Sequence, residues 1–133
     1  MKKRKKNGKR KKVLCVCSQG MNRSRYLAGY LRNKGYNTRY GGASIEAPNP
    51  IHQKDIGWAD VIIVVRKRLV PIMKERFHVK NKKLIVFNVT DSPLSLFFER
   101  KMLKFMDYLD FQKKWTYPQL RKNIEKHLPL WFY

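Results

Sequence analysis

The sequence is short of acid. Nine Asp and Glu residues stand against 31 Lys and Arg in 133 residues, a formal net charge of +22. No apolar run approaches the roughly 18–20 residues that span a bilayer, so neither a transmembrane helix nor a membrane partner is expected. The polybasic start is not followed by an apolar stretch of secretory length, since "VLCVC" (13–17) gives way at once to polar residues. The expected location is intracellular, cytoplasmic or nuclear, where thiols stay reduced. Cysteine is also scarce, with only Cys15 and Cys17. Two residues apart in a strand they would lie ~6.5 Å apart at Cα, near the upper limit for a disulfide and in a backbone that resists its geometry. The three histidines, His52, His78 and His127, stand at no zinc-site spacing from them, so no metal and no cofactor is expected.

Charge of the other sign is plentiful. The first twelve residues, "MKKRKKNGKRKK", carry nine positive charges and no acid, and the remainder is basic as well. Residues 1–12 are expected to form a disordered arm. Residues 2–12 are a candidate contact for RNA, DNA or an acidic protein, with an attraction that weakens with salt. Apolar residues make up 43% of the chain, enough for one packed core over 13–133.

"VLCVC" reads as a buried parallel strand. A helical pattern follows at 22–34, with Leu27, Tyr30 and Leu31 on one face and Gly35 as its stop. "YNTRY" (36–40) is a second strand, with "GGAS" (41–44) as its exit. Residues 44–57 hold two prolines and no clear period, and are expected to be mostly loop. "ADVIIVV" (59–65) is the strongest strand, with five consecutive β-branched residues. A helix to about Phe77, a fourth strand at 83–89, a helix at 92–111 and a last helix from Pro118 complete the pattern. Strands alternating with helices imply a three-layer α/β/α sandwich around a four-stranded parallel sheet. Ligands of such sheets bind at the carboxyl ends of the strands.

The stretch "CSQGMNRS" (17–24) occupies such an end. A thiol between a strand and a helix N-terminus has its thiolate favoured by the helix dipole. Amides of Ser18, Gln19, Gly20, Met21, Asn22 and Arg23 can converge on a phosphate. Gly20 allows a turn that other residues resist. The Arg23 guanidinium can hold two phosphate oxygens in a bidentate fork. The Ser24 hydroxyl can donate to the sulfur, and Asn22 can brace the loop through side-chain to backbone bonds. Cys15 is read as a buried small hydrophobe.

With "VLCVCSQGMNRS", "GYNTRYGGAS", "WADVIIVV" and "KKLIVFNVTDSP" in this order, the sequence resembles the low-molecular-weight protein tyrosine phosphatases over residues 13–110. It is similar in particular to a small bacterial branch of them. Its loop also resembles that of the RNA polymerase II C-terminal-domain serine phosphatase, which shares the fold. The spacing C-x-x-G-x-x-R suits dual-specificity phosphatases and RNA triphosphatases too, but their nucleophile lies late in the domain. The resemblance implies a low-molecular-weight phosphatase-like domain over 13–133 that hydrolyses a phosphorylated protein or another phosphomonoester. Cys17 would form a phosphocysteine, Arg23 and the loop amides would bind the phosphoryl oxygens, Ser24 would assist the sulfur, and Asp91 would be the general acid and base. The family usually has Asp-Pro where this sequence has Asp91-Ser92-Pro93. Asp60 is read as structural, and Asp107 and Asp110 as solvated. Arsenate reduction, which on this fold needs resolving cysteines further along the chain, is not expected, since no cysteine follows Cys17. The substrate stays open between phosphotyrosine, phosphoserine, an RNA 5′ end and a small molecule. The alternative is an idle phosphatase-like module that binds RNA or another polyanion through its basic arm and surface.

Overall fold

The computed structural model describes residues 11–90 and 108–130. β1 (Lys12–Cys17) begins one residue before the expected start and leads into α1 (Arg23–Asn33). There follow β2 (Asn37–Gly42), α2 (Gln53–Trp58), β3 (Val61–Val64), α3 (Leu69–Arg76) and β4 (Lys83–Val86). The chain is described again from α4 (Tyr108–Phe111), which runs through a π-helical turn (Gln112–Thr116) into α5 (Tyr117–Glu125).

The four strands form one parallel sheet in the order β2-β1-β3-β4. β1 is central, and Val13 to Cys17 are buried on both faces, as the unbroken apolar run requires. Alternate side chains divide between two half-cores. Val13, Cys15 and Cys17 join Leu27, Leu31, Leu120 and Ile124 under α1 and α5. Leu14 and Val16 join Ile56, Leu69 and Met73 under α2 and α3. The chain leaves β1 toward β2 on one side and later adds β3 on the other, so the strand order reverses at the carboxyl end of β1. That switch point leaves a crevice, and Cys17 lies at it.

Two expectations are corrected. Residues 53–58 are helical, not loop. Asp55 supplies the start signal, its carboxylate accepting from the His52 N–H at 2.9 Å, and Ile56 is the single buried anchor. One apolar contact in six residues makes no period, so this helix left no pattern to read. The gap expected between helices ending at 111 and starting at 118 is also absent, because the π turn makes 108–125 continuous. Most of the helix expected at 92–111, like the arm over 1–10, lies outside the described residues. So do residues 131–133 of the aromatic terminus, although Leu130 is fully buried in the half-core under α1 and α5.

Candidate active site

β1 ends at Cys17 and α1 starts at Arg23, so Ser18 to Asn22 form a tight loop over the switch point. The segment after β2 holds this loop from outside. The Ala43 N–H donates to the Cys17 carbonyl at 2.8 Å, Ser44 N–H to Ser18 O at 3.1 Å, and Asn49 N–H to Gln19 O at 3.3 Å. Asn49 Nδ2 donates to the Gly20 carbonyl at 3.0 Å, and the hydroxyls of Ser18 and Ser44 pair at 3.0 Å. In a planar trans peptide the N–H points opposite to the C=O. Four successive carbonyls turned outward therefore turn the amides of residues 18–21 inward. The Gly20 N–H lies 3.2 Å from Cys17 Sγ, in agreement with that direction.

Gly20 is required twice. Its φ of +77° is the left-handed region, and a Cβ there would stand 2.2 Å from the Asn49 carbonyl oxygen. The loop can press this closely on the β2 exit because Gly42 faces it, where a Cβ would meet Ser18 O at 2.5 Å.

Cys17 is 2% exposed, and its thiol donates to Ser24 Oγ at 3.1 Å. Ser24 is fully buried in the first turn of α1. Arg23 is buried too, and its Nη1 donates to the Val89 carbonyl at 2.8 Å, tying the loop to the exit of β4. Gln19 and Met21 are exposed, so the loop rim faces solvent. Cys15 shares the sheet face of Cys17 but is fully buried. Burial, then the neighbouring Cys17, pushes its thiol well above the ordinary range, which makes it chemically inert packing.

The described structure thus brings Cys17, Ser18, Gly20, Arg23 and Ser24 together at one strand end. Asn22 is tied to the far helix. Its Nδ2 donates to Gln112 Oε1 at 2.7 Å, and its Oδ1 accepts from the Tyr117 hydroxyl at 2.6 Å. Asn49 braces the loop. The sequence reading missed Asn49, Gln112 and Tyr117. Asn49 lies between two prolines in an aperiodic stretch, and the other two lie on a helix about ninety residues away. Asp91 and Asp107 lie outside the described residues. The carboxylate of Asp60 accepts from the Lys12 N–H at 3.0 Å and pins the start of β1, while Asp110 is exposed on α4. Among the described residues no cluster of metal-ligating side chains occurs, and no helix is long and apolar enough to cross a membrane.

No protein-family model matches the sequence, and no curated protein matches it. Solved structures do. The fold is the low-molecular-weight phosphatase-like fold, a four-stranded parallel sheet with flanking helices. The chain is similar to the YwlE arginine phosphatase from Geobacillus stearothermophilus, with a TM-score of 0.58 at 17% identity over 87% of this chain and 92% of that one. It is similar to a YwlE mutant from Bacillus subtilis, with a TM-score of 0.52 at 16% identity over 89% and 98% of the two chains. A low-molecular-weight protein tyrosine phosphatase from Bacillus subtilis aligns with a TM-score of 0.49 at 14% identity over 86% and 97%.

Proposed function

We propose that this protein is a cysteine-dependent phosphomonoesterase acting on a phosphorylated protein, with phosphotyrosine as the first substrate to test. The observation that carries the reading is the aim of the loop: its carbonyls are bound outward, its amides turn inward, and Ser24 Oγ and the Gly20 N–H lie 3.1 and 3.2 Å from Cys17 Sγ.

In this mechanism the Cys17 thiol first loses its proton to solvent, the thiolate Sγ attacks phosphorus and the P–O ester bond breaks, leaving a phosphocysteine. The inward amides and Arg23 neutralise the charge spread over the three equatorial oxygens. Asp91 is the candidate acid that protonates the departing oxygen. As a carboxylate it then takes a proton from water, the water oxygen attacks phosphorus, and the S–P bond breaks to release inorganic phosphate. Ser24 reverses its hydrogen bond in this step and donates to the departing thiolate. In sequence, Asp91 stands two residues beyond Val89, whose carbonyl holds Arg23.

Hydrolysis of an aryl phosphate by wild type, Cys17→Ser and Asp91→Asn tests the reading. Wild type is expected to be active, Cys17→Ser to be silent, and Asp91→Asn to be slowed about 10²–10⁴-fold. Equal rates in wild type and Cys17→Ser would overturn it. Phosphotyrosine, phosphoserine and phosphoarginine peptides and an RNA 5′-phosphate then rank the substrates. Phosphoarginine belongs in the panel because the similar protein from Geobacillus stearothermophilus is an arginine phosphatase.

A further inference from the structure

A groove of about 620 Å³ opens beside the phosphate loop and runs along the outer face of α1, between Met21 at the loop rim and Leu109 on α4. Met21 is 53% exposed and Leu109 66%, which makes these two of the few large apolar side chains that the described surface leaves in water. Arg25 and Arg32 line the groove. Arg39, Arg66, Arg76 and Arg121 each commit their guanidinium to Asp55, Asn88, the Ala43 carbonyl and Tyr26 respectively. The guanidinium groups of Arg25 and Arg32 have no hydrogen-bond or ion-pair partner among the described residues. They are seven apart, two turns of one helix face, so their stems are about 10.5 Å apart along the axis.

Gly29 forms the floor between them. It sits inside an eleven-residue helix, where glycine is the poorest residue after proline. No backbone strain explains it, and a Cβ there would meet nothing within 4 Å. Packing does not demand this glycine, but a long side chain in its place would project from the floor into the groove.

We infer that this groove docks an extended acidic segment of the phosphorylated protein substrate. The inference rests on the phosphatase reading of the adjoining loop. No acid lines the groove among the described residues. The nearby Glu125 is a carboxylate, its carboxyl held below the usual range by the Tyr30 hydroxyl and then by Lys34, and its charge is paired with Lys34 at 3.6 Å. In a polyproline II segment, which has three residues per turn and a rise of about 3.1 Å, carboxylates three residues apart lie on one face about 9 Å apart, close to the spacing of the two arginine stems. Met21 and Leu109 would take apolar side chains of the same segment. Single-stranded nucleic acid fits less well. Tyr26 and Tyr117 stack on each other at 4.0 Å and 3°, and Tyr30 stacks on Tyr26 at 6.3 Å, so ring faces that bases would use are occupied by one another.

Docking is tested on the full chain, separately from catalysis, with a fluorescein-labelled, unphosphorylated peptide carrying Glu at every third position, at physiological salt. Fluorescence anisotropy is expected to show at least a tenfold affinity loss for Arg25→Glu/Arg32→Glu. The charge-matched control Lys54→Glu/Lys74→Glu, away from the groove, should lose less than threefold. Gly29→Gln should lose at least fivefold with a melting temperature no lower than wild type, since Gln is the better helix former. Gly29→Ala should melt higher and still bind. Equal loss in the two double variants, or full binding by Gly29→Gln, would overturn the inference. So would a U-rich RNA that depends on Arg25 and Arg32 while the peptide does not. If the aryl phosphate is not hydrolysed but the peptide follows these residues, the phosphatase reading fails and the groove stands. If hydrolysis succeeds and the peptide ignores them, the groove alone falls.

Discussion

The Tyr117 hydroxyl donates to Asn22 Oδ1 at 2.6 Å, across 95 positions of the chain. Gln112 takes the other end of the same amide at 2.7 Å. Five residues separate Gln112 from Tyr117, and in an α-helix such residues point about 140° apart. In a π turn residues i and i+5 are hydrogen-bonded neighbours that stack one above the other. The π turn at Gln112–Thr116 therefore puts both side chains on one face, where they close on Asn22 next to Arg23. Thr116 of the same turn is fully buried and donates to the Thr90 carbonyl at 3.4 Å, one residue before Asp91.

Tyr117→Phe keeps the ring stacked on Tyr26 and removes the clamp's hydroxyl. Stability should fall by about 1–2 kcal/mol, or roughly 3–8 °C in Tm for a chain of this size. A purely structural role predicts only that fall. A role in holding the loop also predicts a smaller rise in Tm on adding inorganic phosphate or vanadate, measured by differential scanning fluorimetry.

Gly20→Ala would put a methyl group 2.2 Å from the Asn49 oxygen at a φ of +77°. The left-handed backbone and the backbone collision together should cost more than about 2 kcal/mol. Asn49→Ala, which removes the donor to the Gly20 carbonyl, should cost about 1–3 kcal/mol. Urea unfolding measures both. Phosphate protection should vanish in Gly20→Ala and weaken in Asn49→Ala, because each releases carbonyls that now face outward.

Ser24→Ala removes the hydroxyl 3.1 Å from Cys17 Sγ. If this hydroxyl stabilises the departing thiolate, breakdown of the phosphocysteine slows about 10²-fold, the scale for losing one aimed donor. Stopped-flow with an aryl phosphate should then show a burst of phenol followed by a slow steady state. A uniform slowing with no burst would mean that Ser24 acts on the first step instead.

The buried Cys15 sets a pH dependence. Its thiol keeps its proton in the fold far above the ordinary thiol range, while the unfolded chain releases it near pH ~8.5. The native state then binds more protons than the unfolded one, so stability is complete below that pH and falls as pH rises, by about 1.4 kcal/mol per pH unit from this group. Cys15→Ala should be less stable at pH 7 because of the cavity it leaves. Its stability should converge on wild type between pH 8.5 and 10 in urea titrations, and parallel curves would contradict this account.

Much of the architecture was legible. Five β-branched residues at 61–65 and the apolar run at 13–17 are read as buried strands, and the strand–loop–helix order around Cys17 places that thiol at a parallel sheet's carboxyl edge. Ser24 was legible for the same reason, since one turn of helix after a tight loop must return toward its start. α2 was not legible, because its one buried residue makes no period. The bonds of Asn22 to Gln112 and Tyr117 were not legible, because local sequence points only to local bonds.

By itself, then, the sequence determined the fold class, the position of the candidate loop and the inertness of Cys15, since these follow from periodicity, glycine and burial within a few residues. Only the tertiary structure decided what holds the loop: Asn49 from the β2 exit outside, Gln112 and Tyr117 from the π turn at its end. The physical reason is that such bonds join groups thirty to ninety residues apart. A hydrogen bond between distant segments leaves no spacing in the chain, and a π turn is visible only once the helix has been wound.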